Sequence, residues 1–272
     1  MKTKKNNKQF KKNIRTNKNK NKHKQKLSKK YIVFDMDETL GCFQILYTLF
    51  YYINSYRNSL NLLNINFYQK SYILDKFPYF FRINIWNILQ KIAKLQEKNK
   101  NINCVMYTNN NGGLEWPLFI KNYINFKLEK NLFSQVIPIH KIDNRVIEPL
   151  RTTNDKTYDD ICRCLNIPTT SRICFIDDRE HIKMYNTNIY YIKIQEYNYF
   201  PRLTNLLCLL ENDQNIKHII PNYIKFLEHI GLNMFKQDKI IDESNINLIN
   251  EIQNTEKIKN NIFKYLFKKD KL

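Results

Sequence analysis

Glycine is nearly missing from this chain, with four in 272 residues. Wherever one does occur, a backbone shape closed to other residues is the natural reading. Long apolar runs are lacking too. The longest, Phe43 to Ile53 (FQILYTLFYYI), falls short of the ~20 residues that span a bilayer, and the basic N-terminus has no apolar stretch behind it to form a secretory signal. A soluble chain with no membrane partner is expected. The six cysteines form no CxxC pair and the five histidines are scattered, so neither a zinc site nor a disulfide framework is supported. Cys104 and Cys174 lie inside apolar runs that read as buried strands. Cys162 and Cys164 stand two apart on a predicted helix, where they do not face each other. A reduced, intracellular compartment, cytoplasm or nucleus, is therefore expected. No internal repeat is present.

Acidic residues are absent from the first 30 positions, which carry 14 Lys or Arg and so account for most of the net charge of +20. This arm has almost nothing apolar to bury, so it cannot offset the entropy that ordering would cost; residues 1–29 are predicted to be disordered. Two readings of the arm stand side by side. It is either a polybasic segment that binds nucleic acid or serves as a nuclear address, or drift in an A/T-rich coding sequence, which the abundant Lys, Asn, Ile, Tyr and Phe would also reflect.

From Lys30 the texture changes. YIVFD (31–35) is a short apolar run ending in an acid, as a buried parallel strand would be. Similar runs recur at INCVMYT (102–108), FSQVIPI (133–139), RICFID (172–177) and NIYYIKI (188–194). Stretches with three- and four-residue apolar spacing lie between them, notably Ile83 to Leu95, Trp116 to Leu128 and Tyr158 to Leu165. Strand alternating with helix predicts an α/β fold, Rossmann-like and doubly wound on a mainly parallel sheet. About 65 residues separate Asp35 from the next strand, more than one crossover helix needs. Residues 41–80 thus read as an insertion after the first strand. A single α/β domain is expected over 30–212, and a helical C-terminal extension over 213–272.

The chemistry gathers at strand ends. Asp35-Met36-Asp37-Glu38-Thr39-Leu40 closes the first strand, at the edge where ligands bind in open α/β sheets. Alone, this is as well explained by an acidic turn capping the next helix. Its partners come in order: Thr108 closing the second strand, Lys156 at the start of the helix Tyr158–Leu165, and Asp177-Asp178 closing RICFID. All are of types that bind or attack phosphate. Three of the four glycines, Gly41, Gly112 and Gly113, directly follow the Asp35 and Thr108 segments.

YIVFDMDETL, VMYT, Lys156 and CFIDD together resemble the four motifs of the haloacid dehalogenase superfamily of phosphatases. The DxDET form is most similar to the branch that dephosphorylates the RNA polymerase II C-terminal domain, the NLI-interacting-factor-like phosphatases, whose relatives also occur in large DNA viruses. The resemblance covers roughly residues 30–200. It implies a magnesium-dependent phosphate monoester hydrolase in which Asp35 is the nucleophile and Asp37 the general acid, then base. Thr108, Asn109 and Lys156 would hold the phosphoryl oxygens, with Lys141 and Arg151 as less favoured substitutes for Lys156. Asp35, Asp37, Asp177 and Asp178 would supply the magnesium site. The implied substrate is a phosphoserine or phosphothreonine protein. A nucleic-acid end phosphatase, favoured by the basic arm, and a non-catalytic phosphate-dependent binding protein remain the alternatives. The chain departs from the branch at Asp178, where Asn is usual, at Asn109-Asn110, where small residues are common, and at Arg82-Ile83, where Arg-Pro is usual.

Overall fold

The computed structural model describes residues 29–199, 201–231 and 247–268. The basic arm, apart from Lys29, lies outside the described residues. Five strands form one parallel sheet in the order β3-β2-β1-β6-β7: β1 Lys30–Phe34, β2 Ile102–Tyr107, β3 Phe133–Ile137, β6 Ile173–Asp177 and β7 Ile189–Lys193. The remaining pair, β4 Lys141–Ile142 and β5 Arg145–Val146, makes a small antiparallel hairpin. Its turn residues Asp143 and Asn144 both have positive φ, as a two-residue hairpin turn requires.

The sheet is covered on both faces, so its strands are apolar on both sides. Ile32 and Phe34 of β1, Cys104 and Met106 of β2 and Cys174 and Ile176 of β6 enter the larger core. The alternate residues Tyr31, Val33, Val105, Tyr107, Ile173 and Phe175 enter a smaller one. This is the Rossmann-like, doubly wound arrangement that the strand–helix alternation predicts. The larger core is closed by α3 (Ile85–Lys98) and α4 (Glu115–Leu128) among others, the smaller chiefly by α5 (Tyr158–Leu165). In α3 the buried residues Ile85, Ile88, Leu89, Ile92 and Ala93 repeat at helical spacing, which turns one stripe of the helix onto the sheet.

The segment read as an insertion folds as α1 (Gln44–Ser59), α2 (Phe67–Asp75) and a 3-10 turn over Pro78–Phe80. It does not stand apart. Leu46, Leu49, Phe50 and Ile53 of α1 share the larger core, and Trp116 of α4 sits edge-on to Tyr47 and Phe50. The described part of the extension is equally integrated. After α6 (Leu203–Glu211) and α7 (Tyr223–His229) comes α8 (Leu248–Phe267), whose Ile258, Ile262 and Leu266 are buried in that core. Lys30, the first residue of β1, donates to the carbonyl of Leu266 at 2.7 Å, so the central strand and the last helix are tied directly. No helix among the described residues is long and apolar enough to cross a membrane.

Candidate active site

The chain runs outward from β1 through β2 to β3 in one direction and from β6 to β7 in the other, so the topological switch point lies between β1 and β6 at their carboxyl ends. Such a switch point is where α/β sheets bind ligands. Asp35 follows β1 and continues the ladder, donating its N–H to the carbonyl of Ile176 at 2.9 Å. Asp177 ends β6 and Asp178 follows it. All three are buried, and each offers an oxygen within 4.8 Å of the others.

Lys156 enters this cluster from the loop before α5, just ahead of Thr157. The Thr157 hydroxyl caps the helix by accepting from the N–H of Asp160 at 3.0 Å, which fixes where the chain turns. The buried Lys156 ammonium donates to Asp35 Oδ1 and, at 2.7 Å, to Asp177 Oδ2. It sits between the rings of Tyr107 and Phe175. Burial alone would lower its pKa, but Asp35 and Asp177 outweigh that and hold it above the ordinary lysine value.

One ammonium against three buried carboxylates leaves the cluster short of positive charge. Burial pushes Asp35 well above the usual carboxylate range, and its neighbours Asp177 and Asp37 add to this while Lys156 opposes it. Asp178 is raised as well, by burial and by Asp177. Asp177 goes the other way: burial would raise it, but Lys156 and His181 bring it below its ordinary value. His181 Nε2 lies 3.2 Å from Asp177 Oδ2 without the alignment of a full hydrogen bond. Three clustered carboxylates with one ammonium among them could hold a metal ion that prefers oxygen ligands.

Asp37 stands apart from the three. Its Oδ2 accepts from the side-chain amide of Asn110 at 2.7 Å, and burial, tempered by that bond, pushes its pKa up to about 6. Of the four carboxylates expected to supply a metal site, Asp35, Asp177 and Asp178 bring their oxygens together, and Asp37 is bonded to the β2 loop. Between them the chain makes a tight turn in which Glu38 has φ 59° and Leu40 donates to the carbonyl of Met36 at 2.9 Å. Gly41 closes it. A Cβ there would meet the carbonyl oxygen of Phe80 at 2.1 Å, so no other residue fits. Thr39 locks the turn to β6, since its hydroxyl donates to Asp178 Oδ1 at 3.0 Å and accepts from the Asp178 N–H at 3.1 Å.

Thr108 lies at the end of β2, buried, its hydroxyl accepting from the N–H of Asn110 at 3.0 Å. The side chain of the next residue, Asn109, is tied by its Oδ1, which accepts from Arg151 at 2.9 Å. Arg151 is not a stand-in for Lys156. It is fully buried over the Tyr107 ring and donates to the carbonyls of Thr108, Pro138, Asn154 and Asp155. One guanidinium thus binds the loops after β2 and β3 to the segment that delivers Lys156. Lys141 is exposed on the hairpin and takes no part. The roles of Arg151, Asn110 and Thr39 were hidden in the sequence. The nearest signals there were Arg151, standing shortly before Lys156, and the Thr of DxDET.

All six cysteines are free thiols. Comparison with family models, with curated proteins and with solved structures finds no match to this chain.

Proposed function

We propose that the chain is a magnesium-dependent phosphate monoester hydrolase of the haloacid dehalogenase type, working through an aspartyl-phosphate on Asp35. The observation that carries this reading is the buried Lys156 bridging Asp35 and Asp177 at the switch point of the sheet, with Asp178 alongside. Lys156 engages Asp35 Oδ1, which leaves Oδ2 to attack phosphorus. As that bond forms, the bond from phosphorus to the leaving oxygen breaks, and Asp37 gives that oxygen its proton. Asn110 donates to Asp37 Oδ2, which leaves Oδ1 as the oxygen to carry the proton. In the second half Asp37 takes a proton from water, which attacks the phosphorus and releases Asp35. Lys156 and Thr108 hold the phosphoryl oxygens, with Asn109 in the same loop held by Arg151. Asp35, Asp177 and Asp178 would hold magnesium, which when bound would supply the charge neutralisation that a dianionic phosphate needs to approach a carboxylate. A phosphoserine or phosphothreonine protein is the substrate class the motif resemblance favours.

Hydrolysis of nitrophenyl phosphate tests this reading. Turnover is expected with magnesium, none with excess chelator, and none for a folded Asp35→Asn variant. Full activity in chelator, or in that variant, contradicts it.

A further inference from the structure

We infer that Glu251, on the C-terminal helix α8, is a positioning residue for the candidate active site and acts through Arg82. This rests on the phosphatase reading, and it assigns the helix a place in that machinery. Arg82 lies just before α3 and its side chain is fully buried. Every nitrogen of its guanidinium is engaged: Nε donates to the carbonyl of Thr39 at 2.9 Å, Nη2 to the carbonyls of Glu38 and Gln195 at 2.7 Å each, and Nη1 to Glu251 Oε2 at 2.8 Å. Its own backbone N–H donates to the carbonyl of Leu40 at 2.9 Å. Arg82 therefore grips three consecutive residues of the turn that carries Asp35 and Asp37.

That turn needs a grip. Glu38 sits at φ 59°, a conformation unfavourable for a residue with a Cβ, and its carbonyl is held from two sides, by Arg82 and by the Tyr197 N–H at 2.8 Å. The next residue, Thr39, holds the Asp178 carboxylate. A linked path thus runs from Glu251 through Arg82 to Thr39 and Asp178. Among the described residues, Glu251 is the carboxylate paired with Arg82. Without it, a buried guanidinium would lack a counter-charge and be drawn toward water or toward the site's own carboxylates.

The decisive comparison is among the full-length chain, Glu251→Gln, Glu251→Asp and Tyr265→Phe. Gln keeps size and an acceptor but removes the charge. Tyr265 donates to the carbonyl of Arg172 at 2.9 Å, just ahead of β6 and so at the amino ends of the strands, and serves as a control for loosened α8 docking. With nitrophenyl phosphate, Glu251→Gln is expected to lower kcat at least about tenfold and to raise the magnesium concentration for half-maximal activity several-fold, since small misplacements of reacting groups are felt strongly. KM should move less than twofold, Glu251→Asp should recover part of the loss, and Tyr265→Phe should leave all three values unchanged. Independently of turnover, hydrogen exchange at the Glu38 and Leu40 amides should quicken in Glu251→Gln and not in Tyr265→Phe. Wild-type kcat and unchanged exchange in Glu251→Gln would overturn the inference, as would equal effects of the two variants. An inactive wild type would count against the phosphatase reading, while the exchange comparison still decides the role of Glu251.

Discussion

Lys156 stands against two carboxylates in a buried cluster, and removing it should expose the repulsion it relieves. Two carboxylates ~4 Å apart repel by roughly 4 kcal/mol at an effective dielectric of 20. Lys156→Met is therefore expected to destabilise the fold by about 3–5 kcal/mol at neutral pH, the loss typical of a buried pair with one partner removed. The pH dependence has a definite sign. Asp35 and Asp178 already titrate above the usual range when folded, so between those raised values and the unfolded value near ~4 the folded state binds more protons. Stability of the variant should rise as pH falls through that window, and added magnesium should restore it at neutral pH. Thermal melts across pH, with and without magnesium, check this; a loss independent of both would contradict it. Asp37 makes a separate prediction. If it protonates the leaving oxygen, Asp37→Asn should slow hydrolysis of a phosphoserine peptide far more than that of a nitrophenyl ester, whose leaving group needs no proton. Equal slowing in single-turnover kinetics would reduce Asp37 to a positioning role. At this scale the sequence disclosed which residues carry reactive groups, but not how they pair. Asn110 reaches Asp37, and Arg151 reaches Asn109, across 73 and 42 residues of chain, a relation that no local pattern encodes.

The elements were legible where burial is two-sided or one-sided in a regular way. The five sheet strands announce themselves as apolar runs because both faces are covered, and α3 as a stripe of Ile, Leu and Ala because one face is. The β4–β5 hairpin was not legible: two residues per strand give no period to read, and both strands are largely exposed. The packing of α1 and α8 into the main core also escaped, since a helix's apolar stripe shows that it docks without showing where. Arg151 illustrates what elements contribute to the site, joining the loops after β2 and β3 to the approach to α5. Arg151→Lys keeps the charge but replaces a planar fork by one flexible ammonium. KM for an aryl phosphate is expected to rise about tenfold, a change equivalent to ~1.4 kcal/mol of binding. Leu89→Ala, at a fully buried position of α3, should cost about 2–5 kcal/mol of stability with KM unchanged. Steady-state kinetics beside denaturant unfolding separates the two; matching behaviour of both variants would mean that Arg151 merely packs.

Taken whole, the molecule brings segments from four distant parts of the chain together at one end of the sheet: 35–39, 108–110, 151–157 and 177–181. The α/β sheet does this by aligning strand ends, and α8 closes the structure through Glu251 and through the Lys30 bond to its last turn. The order of these segments was visible in the sequence because three of them close apolar runs and the fourth opens the helix Tyr158–Leu165. Their convergence follows from the parallel sheet, and the helical layer over it does not follow from local pattern. The central claim is that phosphate passes through a covalent bond to Asp35. Acid quenching of the Asp37→Asn variant during turnover of nitrophenyl phosphate, followed by mass-spectrometric mapping of the phosphorylated peptide, tests it most directly. The account predicts an acid-stable, alkali-labile phosphoryl group on Asp35, building up because water is no longer activated. Hydrolysis that proceeds with no phosphorylated protein, or a phosphoryl group mapped to another residue, would contradict it.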